Sequence, residues 1–282
     1  MLIIELLKAV LLGIVEGITE WLPVSSTGHL LLFDNILPLA QSEPFRNMLV
    51  EVIQLGAILS VVVLFFNRLN PFSSKKTAAE KKSTWLMWAK ILVAVIPGGV
   101  AVIVLKLLDF DLPDNPYIIA AALFVYGIAF IIIERCRKNK PFRIESADNL
   151  DFKTAFLIGV FQVLSIIPGT SRSGSTILGG MLLGVSRTAA ADFSFFLAIP
   201  AMVGASGVEV LSFVKDLADG TSNVVFGAEQ IAVLAVATAV SFLVSFIAIK
   251  FLISFVKKHS FEAFGWYRIA LAIIVVIYFT VR

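Results

Sequence analysis

The chain has 282 residues, 59% of them hydrophobic and only 15% charged, with a mean hydropathy of +0.94. Soluble domains carry about 25% charged residues, so this chain has too little polar surface to coat a water-soluble globule and too much apolar side chain to stay disordered. One cysteine, Cys136, excludes a disulfide framework, and the formal charge of +3 is scattered in short loops rather than gathered into a basic face for nucleic acid.

A helical span needs roughly 20 mostly apolar residues. In chain order, the first such segment, about 1–37, is interrupted. It begins as a helix, meets a polar, proline-bearing break, and resumes as a short apolar helix: LLGIVEGITEWLPVSSTGHLLLF. Continuous spans follow at about 46–66, 85–105 and 117–134. A second interrupted segment occupies about 153–186 and reads LIGVFQVLSIIPGTSRSGSTILGGMLLG. Three more spans lie at about 192–214, 229–250 and 262–281. The apolar runs are continuous rather than alternating, which argues against a barrel. The expected fold is an all-α polytopic membrane protein with six full transmembrane helices in a single domain.

The loops sort by charge. Segment 67–84 carries Arg68, Lys75, Lys76, Lys81 and Lys82 against Glu80. Segments 135–153 and 250–258 are also basic. Segment 106–116 has Lys106 against Asp109, Asp111 and Asp114, and 215–229 has Lys215 against Asp216, Asp219 and Glu229. Lysine and arginine mark the cytoplasmic side, so the first three loops are expected inside and the last two outside. The interrupted segments then each begin and end on one face, outside for the first and inside for the second. Both read as re-entrant hairpins. No basic n-region precedes the first, so it is not expected to be a signal peptide.

Offset by 146 positions the two segments align without a gap. Gly13 meets Gly159, Glu16 meets Gln162, Ser25 meets Ser171, Thr27 meets Ser173, and Gly28 meets Gly174. Three spans separate the copies, and an odd number inverts the second (repeat 1 about 1–134, repeat 2 about 150–282). Inverted repeats with broken helices at mid-depth build substrate sites in bilayers.

The chemistry-bearing residues sit at these breaks. Glu16 and Glu20 are four apart on one helical face, and ionisable groups inside a membrane are costly and usually functional. An interfacial pair facing water is the blander reading. Pro23 then ends the helix. Ser25, Ser26 or Thr27 can cap the next one, whose free N–H groups and dipole suit an anion. His29 can donate to a phosphate oxygen or shuttle a proton. In the second break Gly169 lets backbone approach a ligand, Ser171, Ser173 and Thr176 offer hydroxyls, and Arg172 offers a planar fork for phosphate. Snorkelling of Arg172 to the cytoplasmic surface is the alternative. Gln54, three residues after Glu51, is a further cavity-lining candidate. Asp192 reads as an N-cap, His259 as a solvated loop residue and Cys136 as inert.

The stretches EGITEWLPVSSTGH at 16–29 and PGTSRSGST at 168–176 resemble the bacitracin-resistance type of undecaprenyl-diphosphate phosphatase. That family carries E-x-x-x-E running into P-V-S-S-T-G-H, then a distant P-G-x-S-R-S-x-x-T. The resemblance spans essentially the whole chain. It implies a bacterial inner-membrane enzyme that removes the terminal phosphate of undecaprenyl diphosphate at the outer face. It further implies recycling of the carrier for peptidoglycan precursors, bacitracin resistance and a divalent cation, Mg²⁺ or Ca²⁺. On this reading Glu16 and Glu20 hold the cation or one serves as base. Arg172 clamps phosphate with Ser25, Thr27, Gly169, Ser171, Ser173, Thr176 and Gln54. The nucleophile is Ser26, activated by His29 or Glu20, or a water. The partners are a polyprenyl diphosphate and the bilayer, with a second copy as a candidate partner and no nucleic acid. An inverted-repeat transporter or lipid flippase using the same hairpins is the runner-up.

Overall fold

The computed structural model describes residues 2–110, 113, 115–138, 140–219 and 226–281. Asp111 and Asp114, counted above for the charge of one loop, lie outside the described residues. Among the described residues regular structure is helical: α1 (Leu2–Thr19), α2 (Ser26–Ile36), α3 (Glu43–Leu64), α4 (Phe66–Leu69), α5 (Ala78–Leu107), α6 (Pro116–Arg137), α7 (Phe152–Val163), α8 (Arg172–Leu182), α9 (Arg187–Asp219), α10 (Ala228–Lys258) and α11 (Glu262–Val281). Six of these, α3, α5, α6, α9, α10 and α11, are long and apolar enough to cross a membrane. They coincide with the six expected spans: α11 matches its span, α3 is shifted slightly toward the N-terminus, and α5, α6, α9 and α10 overrun theirs at both ends. The overrun has a local cause at α5, where Thr77 and Glu80 form a reciprocal capping box that starts the helix in polar sequence. At α9 the expected N-cap is corrected. The helix begins at Arg187, and Ser186 Oγ accepts from the Ala189 N–H. Asp192 sits a turn inside and pairs with Arg68 at 2.6 Å.

Both interrupted segments break where the prolines stand. α1 ends at Thr19 and α2 starts at Ser26. α7 tightens into a 3-10 turn over Leu164–Ile166 before α8 starts at Arg172. The two restarts share one device. Ser25 has φ 74° and accepts from the Gly28 N–H, and Ser171 has φ 70° and accepts from the Gly174 N–H. Left-handed backbone at a non-glycine residue costs of order 1–3 kcal/mol and persists only where the surroundings enforce it. Each serine recovers part of that by capping, which satisfies a helix N–H that would otherwise lack a partner.

Packing follows small residues. α1 lies on α10, and α7 lies on α5. A Cβ on Gly13 would stand 2.6 Å from the Ala237 carbonyl oxygen, and one on Gly159 would overlap the Ala94 carbonyl oxygen. Close helix approach over glycine is how membrane helices gain packing where no hydrophobic force acts between them. Gly159→Val is therefore expected to push α7 off α5. A thermal unfolding midpoint lowered by several degrees in detergent would show it, on the scale of about 1–3 kcal/mol for overpacking. An unchanged midpoint would count against the close approach.

One end of the bundle is tied by ion pairs. Buried Glu134 on α6 takes Arg187 Nε at 2.8 Å and the Phe261 backbone N–H at 2.7 Å. Arg68 bridges Asp192 and Asp148, and Arg135 pairs with Glu262. These residues flank the loops expected inside.

Candidate active site

The two breaks meet. Arg172, the first residue of α8, donates from Nη2 to Glu20 Oε1 at 2.7 Å, across 152 residues of sequence. The other oxygen of the same carboxylate, Oε2, accepts from Ser26 Oγ at 3.1 Å. Glu20 thus stands between a hydroxyl from the first break and a guanidinium from the second. Arg172 does not snorkel: its side chain is 12% exposed, and that of Glu20 is 10% exposed. Arg172 Nη1 donates to the Ser194 carbonyl at 3.1 Å, and its guanidinium lies 5.8 Å from the Trp21 ring centroid.

The expected hydroxyls divide by role. Ser25 and Ser171 are caps. Ser173 Oγ donates to the Glu20 carbonyl at 3.3 Å and tethers the second break to the first. Thr176 Oγ1 shares a hydrogen bond with Ser194 Oγ at 2.7 Å, which locks α8 to the segment of α9 that holds Arg172. Glu20, Ser26, Thr27, Gly169, Ser171, Arg172 and Gln54 all line one cavity of about 730 Å³. Glu16, Ser25, His29, Ser173 and Thr176 do not line it, and His29 stacks on the ring of Tyr267. Both ring nitrogens of His29 are engaged, Nδ1 with the Ser25 carbonyl and Nε2 with the Tyr267 hydroxyl, each at 2.7 Å. A carbonyl only accepts, so Nδ1 carries a proton.

Two residues escaped the sequence reading. Arg268 lies in the middle of α11 and is 0% exposed. Its Nη1 donates to the Pro23 carbonyl at 3.2 Å, and its Nη2 donates to the Gly169 and Thr170 carbonyls at 2.8 and 3.0 Å. One guanidinium therefore grips both breaks. The signal was available as a lone arginine within a 20-residue apolar helix. Ser194 left no such signal, because its carbonyl matters as much as its hydroxyl.

The donor set also bears on a metal ion. Both carboxylate oxygens of Glu16 and Oε2 of Glu51 are buried without a hydrogen-bond partner. Among the described residues no group of three or more histidine, cysteine or acidic side chains gathers for a metal. One or two unpaired carboxylates suit a hard cation that takes its other oxygens from phosphate and water.

A family described as bacitracin resistance protein BacA matches residues 9–274, nearly the whole chain. The chain belongs to the BacA family. Curated proteins named undecaprenyl-diphosphatase resemble this BacA-family chain along its length. That of Lacticaseibacillus paracasei is 50% identical over 273 residues, 97% of this chain and 98% of its own. That of Enterococcus faecalis is 51% identical over 280 residues, 99% of each chain. That of Streptococcus thermophilus is 52% identical over 280 residues, 99% of this chain and 95% of its own. The family match covers both breaks, so the residues that meet in the cavity lie within the matched range.

Proposed function

We propose that the chain removes the terminal phosphate of undecaprenyl diphosphate, releasing undecaprenyl phosphate and inorganic phosphate. The observation that carries this is the contact of Ser26, Glu20 and Arg172 at a cavity in an apolar helical bundle. A lipid diphosphate needs such a combination: an apolar surround for its tail, a cation for its phosphates, and a nucleophile beside a base.

Ser26 is the nucleophile and Glu20 its base, since their hydrogen bond is already in place. Ser26 Oγ attacks the terminal phosphorus, and its proton passes to Glu20. The bond to the bridging oxygen breaks, and undecaprenyl phosphate leaves with that oxygen. Glu20 gives its proton up to the leaving undecaprenyl phosphate. Water then attacks the phosphoserine, Glu20 takes a proton from that water and returns it to Ser26 Oγ as the P–O bond to serine breaks, so phosphate departs and Ser26 is restored. Arg172 keeps N–H donors beyond those spent on Glu20, Ser194 and Met202. These meet the equatorial oxygens as charge spreads onto them. His29 works through the Ser25 carbonyl, holding the strained turn that presents Ser26.

Glu16 would hold a Mg²⁺ or Ca²⁺ ion, with Glu51 as the second unpaired carboxylate, while Glu20, the other expected ligand, has its oxygens on Arg172 and Ser26 and serves as the base. Such an ion supplies charge neutralisation at the phosphate oxygens. Chelation is then expected to stop turnover, and added Mg²⁺ or Ca²⁺ to restore it.

The site opens outside the bacterial inner membrane. Supporting this, the cavity runs to Lys106, at the end of α5 that leads into one acid-rich loop, and to Glu209 in the second half of α9, toward the other. The inverted-repeat reading draws on the shared serine caps and on the exchange of partners between halves, α1 on α10 and α7 on α5. Product formed outside returns the lipid carrier to peptidoglycan synthesis. It also removes the diphosphate that bacitracin sequesters, which gives resistance.

The test is phosphate release by purified protein, with a rapid acid quench to trap the enzyme. Wild type is expected to carry phosphate on Ser26 during turnover, detected by mass spectrometry of the 21–29 peptide. Ser26→Ala is expected to lose both the adduct and at least about 10³-fold of the rate. Turnover by Ser26→Ala at a wild-type rate would move the nucleophile to water.

A further inference from the structure

The cavity contains a polar group that the mechanism above does not use. Gln162 on α7 is 7% exposed and lines the cavity, and its Oε1 is buried without a hydrogen-bond partner. An unpaired buried amide is costly, of order 1–3 kcal/mol, and persists where a ligand completes it. The neighbouring wall is cleared for one. A Cβ on Gly98 of α5 would stand 3.2 Å from Gln162 Nε2, and a Cβ on Gly99 would meet nothing within 4 Å. Both glycines line the cavity beside Gln162 and Ser165. Pro97, inside α5, lacks the N–H that would bond the carbonyl of residue 93, so α5 is one backbone hydrogen bond short beside this wall.

We propose that Gln162, with the Gly98–Gly99 wall, is the subsite for the retained phosphate, the one esterified to the prenyl chain. This rests on the phosphatase reading and deepens it. The terminal phosphate must reach Ser26 and Arg172. The esterified phosphate must lie between that point and the tail. The tail needs an apolar wall open to lipid, and α5 offers one in Val102 and Ile103, which are exposed and line the same cavity. Gln162 stands where α7 meets this α5 wall. Its amide N–H donates to a phosphate oxygen of the retained group, and its carbonyl accepts from that group when it is protonated or from its bound water. A neutral amide suits the task because the product must leave. A second arginine there would hold undecaprenyl phosphate in place.

The test separates the two products. Farnesyl phosphate stands for the retained half and inorganic phosphate for the released half, each measured as an inhibitor of undecaprenyl diphosphate turnover. Gln162→Glu places a negative charge against the retained phosphate. It is expected to raise KM and the inhibition constant of farnesyl phosphate by about tenfold or more, the scale of a lost hydrogen bond to a charged group. The inhibition constant of inorganic phosphate should stay within about twofold. Gly98→Ala, which presses on the amide from α5, should shift the same two constants in the same direction. Thermal unfolding of each variant reports whether it folds. Equal shifts for both inhibitors, or none for farnesyl phosphate, would overturn the proposal. If wild type released no phosphate, the phosphatase reading would fail by itself. Direct binding of farnesyl phosphate to wild type and Gln162→Glu would then still decide the subsite, with equal affinities ruling it out.

Discussion

Arg172→Ala is expected to lower phosphate release by about 10³-fold or more, the scale on which arginines stabilise phosphoryl transfer. Two losses combine. The equatorial oxygens lose a bidentate donor, and Glu20 loses the cation that holds Oε1, leaving a buried carboxylate beside an anionic substrate. Arg172→Lys should recover little. An ammonium lacks the planar fork that spans Glu20 and the Ser194 carbonyl together. The loss should fall mainly on kcat, since the interaction is strongest in the transition state. Glu20→Gln combined with Arg172→Ala should fold better than Arg172→Ala alone and remain inactive. Release within tenfold of wild type in Arg172→Ala would end the clamp assignment.

Arg268→Met should cost both stability and activity. The substitution leaves the carbonyls of Pro23, Gly169 and Thr170 without this donor in a buried setting. At about 1–3 kcal/mol for each orphaned group, the sum is several kcal/mol, partly recovered by relaxation and water. Arg268 touches no cavity-lining side chain of the reaction except through backbone, so its effect on rate is one of position. The discriminating readout is the trapped phosphoserine. A variant that still folds should form it slowly, yet keep the wild-type ratio of its formation to its hydrolysis. Wild-type stability and rate in Arg268→Met would show that the breaks hold each other without it.

The spans were legible because composition alone decides them: a run such as Ile231 to Ile249 has no charge and nowhere to go but lipid. The breaks were legible because proline, glycine and hydroxyls interrupt that run, and the 146-residue offset picked out Ser25 and Ser171, whose backbones share the same unusual φ. The meeting of Glu20 with Arg172 was legible only as a chemical expectation, an acid and a base on separate tips. Its geometry depends on Ser194, Trp21 and Ser173, which are unremarkable residues in sequence. Asp192 was misread because a polar residue at the head of an apolar run looks like a cap. Only the tertiary partner, Arg68, reveals an ion pair. His29 shows the opposite case, a side chain near the site in sequence whose nitrogens are spent on Ser25 and Tyr267.

The grip of Arg268 on both tips has a consequence for biosynthesis. The first tip is translated well before the guanidinium that holds its Pro23 carbonyl, which lies 245 residues further on, in α11. Until α11 inserts, Ser25 has its strained backbone to maintain without that anchor, although Arg172, the partner of Glu20, is already made with α8. A ribosome-bound chain therefore carries an unset first tip until α11 is made. Competence arrives only when α11 enters the bilayer. Chains stalled before α11 should insert into membranes yet release no phosphate.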